Sequence, residues 1–573
     1  MGNKKGVPNM TAVLPQGNRG LLLRVMIVLA LAMGSLGIAG TGKAQAERDS
    51  VIEFPDPVLD WLVRQEIGLA EGPIRLSDAE QVEELDVRYE KLEAFREQNG
   101  YWFAYLEDLT GMEQLVNLKS LILWDSHSVE SLDIIASLPK LEKIVIWEGR
   151  PIDLELFSGL HSLRELVVTN VISEDLEPLR SLANLEVLNL ISNTLQDVSA
   201  LESLPQLREL SLYSWPENSV DLQVLDKLTK LERLSIHQQG LRQLDFLRHM
   251  PELRELHISN NPIISYEPVK QLSRLESLSV SHVDDLSFVA PLSHLQQLSV
   301  EQGQISDLRP LENLTQLRRL WLAGNEIRDV TPLSKLTNLE YLTLQSNAVE
   351  DISSLRTLAN LEEFHAGGNP IRDVHAIGEM AKLRVLNLDD TSITSLRGLE
   401  RLSELREVTL RSTVVPVDGE PAIKAWKDRI LTAGGTFYYE AYNPIPDILL
   451  YVNRNRVFAG GEYGEIREAP FIHESRTLAP IRFVSEYLGA DVKWDQTSRT
   501  ITVDGLDQRI VLTVGSREVT VGKERVTLDV SPQVRNGTAF VPLRFLSEQM
   551  GLKVDYYHWY GNIGLTAGAG EDQ

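Results

Sequence analysis

The sequence predicts a β/3₁₀ solenoid with a curved parallel sheet on its concave face and a helical N-terminal cap, followed by a small duplicated α+β domain. Three observations predict it. A Leu-x-x-Leu-x-Leu pattern recurs in phase from Leu118 to Leu405. Beyond Ile448 a second pattern repeats at an offset of 62 residues without a gap. At 573 residues and 43% apolar composition, the chain is too long for one compact core and too apolar to be disordered throughout.

Residues 1–46 read as an export signal. Lys4, Lys5, Arg19 and Arg24 precede an apolar run from Val25 to Met33, and Ala44-Gln45-Ala46 has the small-x-small form of a cleavage site. A bilayer span needs about 20 apolar residues. This segment, even counted through Ala39 with Gly34 and Gly37 inside it, has 15. The mature chain is therefore expected to begin at Glu47 and to have no integral membrane span. No Leu-Pro-x-Thr-Gly sorting signal stands near the C-terminus, and 568–573 reads as a polar tail.

Residues 47–81 form the expected cap. Phe54-Pro55-Asp56-Pro57 followed by Val58, Leu59, Leu62 and Val63 reads as a capped amphipathic helix, and Ser77-Asp78-Ala79-Glu80 as a capping box opening another. Val82, Leu85 and Val87 resemble a first, divergent strand. The insertion at 88–117, with Tyr101, Trp102, Phe103 and Tyr105, breaks the period.

Repeats fill 82–413. Ten of thirteen intervals between successive first leucines are 22 residues. Around Leu320 and Leu322 the alternation has period two, so each repeat supplies a short strand with leucines inward. Asn193, Asn261, Asn325, Asn347 and Asn369 take the ninth position, where an inward amide can bond backbone leaving the strand and stack into a ladder. In the back of the repeat, Thr331 reads as an N-cap with Pro332 in the first turn of a 3₁₀ segment. Asp197, Asp307, Asp329, Asp351 and Asp373, one per repeat, read as turn caps rather than catalytic or calcium-binding carboxylates.

This pattern resembles the 22-residue class of leucine-rich repeat found in the bacterial internalin family, over about Val82 to Thr413. The resemblance implies binding of a partner protein on the concave face.

Residues 414–447 are expected to close the array, with a helix over Ala422 to Leu431 and a strand over Thr436 to Tyr439, and then to run as a stiff linker through Asn443-Pro444-Ile445-Pro446. The array and the following domain are expected to fold independently. In that domain, 448–567, Pro480, Arg482, Phe483, Glu486, Gly489 and Trp494 correspond to Pro542, Arg544, Phe545, Glu548, Gly551 and Tyr556. Each copy reads as strands, a helix running from its proline to its glycine, then a hairpin. The motifs Leu478-Ala479-Pro480-Ile481-Arg482-Phe483 and Phe540-Val541-Pro542-Leu543-Arg544-Phe545 resemble the copper amine oxidase N-terminal-like domain, or stalk domain, common in secreted proteins of Gram-positive bacteria. In the oxidases, copper and the tyrosine-derived quinone belong to a separate catalytic domain that nothing here resembles. Duplication favours a structural role for Arg482 and Arg544, with an anion site as the alternative.

Chemistry has few places to reside. There is no cysteine, and no nucleophile elbow, phosphate loop, dinucleotide glycine motif or His-Glu-x-x-His occurs. His237, His257 and His282 fall on successive repeats but in different columns, which reads as polar surface rather than a metal site. No catalytic residue, metal or cofactor is expected. The formal charge of −26 becomes −31 once 1–46, with five basic residues and no acidic one, is removed. Such a chain is repelled by nucleic acid.

The expected function is non-catalytic binding of an extracellular protein or a cell-envelope polymer. Outward positions of the early repeats carry Ile122, Trp124, Val145, Trp147, Val167, Ile191 and Tyr213, and a second cluster holds Trp321, Tyr341 and His365. The insertion could instead fold over Trp124 and Trp147 and bury them. A structural envelope protein attached through its C-terminal domain is the rival reading, and an amine oxidase the remotest. No feature of the sequence fixes the oligomeric state.

Overall fold

The structure, a computed structural model, describes residues 50–124, 126–192, 194–214, 222–238, 240–415, 417, 420–439, 446–505, 508–557 and 562–567. The export signal, Asn193, most of the expected linker and the tail lie outside these residues. The chain divides into two compact units, 1–170 and 171–573, a division inside the repeats.

In the first unit the helix Pro57–Ile67 buries Val58, Leu59, Leu62 and Val63, the face the sequence predicted. Asp56 caps it, accepting from the Val58 and Leu59 amides at 2.8 and 3.1 Å. Its other carboxylate oxygen accepts from the amides of Glu107 and Asp108 at 2.8 and 3.1 Å, so one buried side chain also pins the insertion. The second cap helix is Leu76–Ala79, and its capping residue is Arg75, not Ser77. With the helix starting at Leu76, Asp78 is in the third position, and its carboxylate takes the Arg75 amide at 2.9 Å.

The strand Glu84–Val87 pairs in parallel with Ser120–Leu123, Leu85 opposite Leu121. Between them the insertion forms the helix Tyr89–Asn99, which buries Phe95 and stops at Gly100 in left-handed backbone. Phe95 packs edge-on against Trp61 and stacked on Tyr101, with centroids 5.6 and 5.4 Å away. Lys143–Ile146 and then Glu165–Val171 continue the parallel sheet.

In the second unit, twelve strands from Val187–Ser192 to Thr436–Tyr439 pair in parallel in chain order. Their register aligns the inward apolar residue of each repeat: Leu298 with Leu320, Leu342, Phe364, Leu386, Val408 and finally Phe437. The last pairing belongs to the predicted closing strand. The predicted helix, Pro421–Thr432, turns Ile423, Trp426 and Ile430 inward.

The asparagine ladder forms at all four of its described members. Asn347 Nδ2 donates to Leu322 O of the previous repeat at 2.8 Å and to Leu344 O of its own at 2.9 Å, while its Oδ1 accepts from Ile327 N at 3.0 Å. Asn261, Asn325 and Asn369 repeat the arrangement. Gly303 takes the ninth position in its own repeat, where a Cβ would come 2.3 Å from Val283 O and 2.9 Å from Asn325 Oδ1. The eighth position turns the chain out of the strand through left-handed backbone, with φ of 54° to 74° in Asn260, His282, Gln302, Gly324, Ser346, Gly368, Asp390 and Ser412.

On the back, Asp197, Asp307, Asp329, Asp351 and Asp373 each accept the amide two residues on, at 2.7 to 2.9 Å. Thr331 is therefore not the cap of its turn. The 3₁₀ segment is Thr331–Lys335, and Asp329 takes the Thr331 amide.

The C-terminal domain is an interlocked duplication. Its four-stranded sheet centres on Arg476–Pro480 paired antiparallel with Thr538–Pro542, and Ala479 faces Val541, its own counterpart at the 62-residue offset. An approximate two-fold axis therefore passes through that pair. Each five-stranded sheet takes three strands from one copy and the closing hairpin from the other: Ile448–Tyr451 pairs with Asn562–Ala567, and Thr500–Asp504 with Ile510–Thr513. The helices are Ile481–Tyr487 and Leu543–Gln549, with Pro480 and Pro542 as capping residues rather than first helical ones.

The domain is also docked on the array. Val414 shares one buried cluster with Leu449, Tyr451, Phe458 and Tyr463. Tyr463 Oη accepts from Val414 N at 2.9 Å, and Tyr451 Oη donates to Ser412 O at 3.2 Å. Asp390 is held by both Arg454 and Arg456, and Arg456 also donates to Thr391 O. The passage expected to be a stiff linker is thus spanned by side-chain contact.

Candidate binding site

Sheet geometry places the predicted surface residues. Because Leu123 faces Ile146, the next residues in each strand, Trp124 and Trp147, stand side by side, with rings 6.5 Å apart and inclined by 27°. Trp124 is 46% exposed and Trp147 half-buried, so the insertion does not bury the pair. The insertion adds exposed aromatics of its own, Trp102 at 90% and Phe103 at 68%. Ile122, opposite Val145, is half-buried beside the tryptophans. Tyr213 belongs to the second unit and lies 5.9 Å from the His237 ring.

Trp321, Tyr341 and His365 come together. Trp321 faces Thr343 in the register, yet its ring reaches diagonally to Tyr341, with centroids 5.1 Å apart, and Tyr341 reaches His365 at 5.4 Å. Burial pushes the Tyr341 hydroxyl pKa up. Two residues further along the same segments, a groove of about 430 Å³ opens across the strand ends. The seventh-position residues Glu301, Ala323, Gln345, Gly367 and Asp389 line it, with Gly324 and Gly368 from the eighth. Burial raises the carboxyl pKa of Glu301. Burial likewise raises that of Asp389, against the opposing pull of the Arg411 amide at 2.6 Å. An aromatic strip beside a groove of small side chains with a carboxylate at each end can hold an extended, polar chain. Sequence reasoning found the aromatics but not the groove, whose only signal is the run of small residues at Ala323, Gly324, Gly367 and Gly368.

The histidines of successive repeats stand in different surroundings. Burial lowers the pKa of His237, with a smaller contribution from neighbouring His257, and lowers that of His257 itself. His257 contacts the Ser277 hydroxyl at 3.2 Å and His282 that of Ser281 at 3.1 Å. Among the described residues no group of three His, Cys, Asp or Glu side chains is placed to hold a metal, and no helix is long and apolar enough to cross a membrane. Arg482 is tied to Glu486 at 3.6 Å and to Val492 O at 3.5 Å, whereas Arg544 lines an open pocket.

The family model described as the copper amine oxidase N-terminal domain matches residues 458–561. No curated protein matches the chain. Among solved structures, an internalin from Listeria monocytogenes is 22% identical, with 68% of this chain and 96% of that one covered and a TM-score of 0.40. Internalin C2 of the same species is 30% identical over 33% of this chain and 82% of that one, with a TM-score of 0.31. A leucine-rich-repeat protein from Leptospira interrogans is 19% identical, covering 62% and 96%, with a TM-score of 0.47. With its parallel register and its asparagine ladder, the chain is a leucine-rich-repeat solenoid, similar to the internalins among solved structures, and its residues 458–561 match the copper amine oxidase N-terminal domain.

Proposed function

We propose that the chain is a non-catalytic binding protein, exported from a Gram-positive bacterium, that holds a protein ligand on the sheet face of its repeats. The observation that carries this reading is the Trp124–Trp147 pair. Two large aromatic rings lie side by side on an open sheet face, where a solvated strand would carry polar groups. Internalins, as a class of repeat proteins, fit a protein partner better than a polysaccharide. Ile122 extends the patch, and within the second unit Tyr213, Trp321 and Tyr341 are further candidate contacts.

The test is Trp124→Ala with Trp147→Ala in the full chain, comparing capture of partners from culture supernatant and envelope extracts. Loss of an aromatic anchor costs about 2 kcal/mol or more, roughly thirtyfold in affinity. Unchanged capture, or a lowered melting temperature that accounts for the loss, removes this patch. A second reading, attachment to the envelope through the C-terminal domain with the repeats as spacer, is favoured by the side-chain contacts joining that domain to the last repeats.

A further inference from the structure

The two copies of the C-terminal motif have diverged at one point. In the first copy Arg482, 61% exposed, pairs with Glu486 one helical turn on and reaches Val492 O of the next strand. In the second copy Arg544 and Glu548 both face a pocket of about 400 Å³ and form no ion pair with each other among the described residues. That volume is at the lower end of small-molecule sites, about 300 to 1,000 Å³.

The pocket wall has two kinds of surface. Leu528 and Phe545, 4% and 7% exposed, make an apolar floor, and Tyr556, 41% exposed, stands at the edge. Ser475 and Thr527 are on the rim, the Thr527 hydroxyl donating to Glu518 at 2.9 Å and keeping its acceptor capacity. Asp529 and Arg476, also on the rim, satisfy one another at 2.7 Å. The Arg544 guanidinium feels the Asp529 charge but, among the described residues, forms no ion pair or hydrogen bond of its own, which leaves its fork of donors open to a planar carboxylate.

We propose that this pocket binds a carboxylate-bearing sugar unit, with the carboxylate on Arg544, the apolar face of the ring against Phe545 and Tyr556, and hydroxyls on Glu548, Ser475 and Thr527. A sugar ring has an apolar face and a hydroxylated edge, which matches an aromatic floor under a rim of mixed donors and acceptors. The site is independent of whatever the sheet face of the repeats binds.

Saturation-transfer NMR on the full chain tests it with methyl β-D-glucuronide against methyl β-D-glucoside, which differ at one carbon. The glucuronide is expected to bind and the glucoside to bind at least tenfold more weakly. N-acetylmuramic acid against N-acetylglucosamine repeats the comparison for an amino sugar whose carboxylate is on an ether side chain, and shows which source the pocket prefers. Arg544→Gln is expected to weaken binding about tenfold to a hundredfold, the loss of a charged hydrogen-bonding partner. Arg482→Gln, the counterpart, is expected to leave it unchanged. If Arg544→Gln lowers the melting temperature, Thr527→Val supplies a second test at the rim. Equal binding of the acidic and neutral sugars, no binding of any of them, or binding insensitive to both rim variants overturns the proposal.

Discussion

Asp390→Asn is expected to loosen the docking of the C-terminal domain on the repeats while leaving both folded. Asp390 sits in left-handed backbone at φ 56°, a conformation asparagine adopts readily, so the substitution removes a charge without adding backbone strain. The carboxylate it removes holds two guanidinium groups. Arg454 is 54% exposed and loses little, because exposed pairs are worth about 0 to 1 kcal/mol. Arg456 is 16% exposed, beneath Tyr451 and Tyr463 with ring centroids 5.0 and 4.2 Å away. Breaking a fully buried pair costs about 3 to 5 kcal/mol. Arg456 retains Thr391 O and its two rings, which places the loss at about 2 to 3 kcal/mol. The reporter is the Val414 amide, which donates to Tyr463 Oη across the joint. Its hydrogen exchange, read by mass spectrometry on peptides spanning 411–417, should accelerate about thirtyfold to 150-fold if opening of the joint controls it. Peptides over Arg319–Trp321 should be unaffected. Acceleration of less than threefold at Val414 would show that Asp390 does not hold the joint, and acceleration everywhere would show that it holds the repeats instead.

Three further outcomes are expected. Leu320→Ala, at a fully buried position in mid-array, should cost about 2 to 5 kcal/mol in urea denaturation and loosen the neighbouring repeats, and a change within error would overturn the repeat register. Hydrogen bonds from Arg309, first its side chain and then its backbone amide, lower the Asp307 pKa to about 2, so the unfolded chain binds its proton more readily. This cap's contribution is therefore complete above about pH 4 and lost as pH falls toward 2; the protection of the Arg309 amide relative to its intrinsic exchange rate should fall over that window, and that fall should be absent in Asp307→Asn. Residues 446–505 expressed alone should fail to fold, since Ile448–Tyr451 and Thr500–Asp504 each lose a neighbouring strand supplied by the other copy, and a cooperative melt by circular dichroism would refute the interlocked arrangement.

Features with a period or a local chemical signal were legible in the sequence. The inward leucines, the asparagine ladder, the aspartate caps and the closing helix all lie where spacing and residue type put them. Local reading failed by a residue or two at element starts: the second cap helix begins at Leu76 after Arg75, whose amide Asp78 takes, rather than after Ser77, and Asp329 takes the amide of Thr331, which is inside its turn rather than capping it. The left-handed eighth position was hinted at by Gly324, Gly368 and Asn260, but Gln302 and His282 occupy it too, and their types carry no such signal. Contacts between distant segments were not legible at all. Arg456 and Asp390 are 66 residues apart, and nothing in either neighbourhood names the other. The duplication was visible as a 62-residue offset, yet that offset is equally satisfied by two separate halves. Only strand pairing tells exchange of hairpins from side-by-side packing.

Docking changes what the repeats can do for whatever the C-terminal domain holds. A solenoid on a free linker samples every orientation, and a ligand bound to it gains only proximity. Here Val414, Ser412, Thr391 and Asp390 fix the domain to the last two repeats through apolar packing, hydroxyl bonds and a shared carboxylate. Three different kinds of interaction must fail together for the joint to open. If the pocket at Arg544 holds an envelope sugar, that orientation passes to the sheet of the second unit, and the groove from Glu301 to Asp389 faces one direction relative to the sugar. Asp390 also lines the groove, so the joint is better loosened from the domain side, at Arg456; that should leave the affinity of each site for its own ligand intact and weaken only binding that engages both at once, which separates a scaffold that orients from a tether that merely connects.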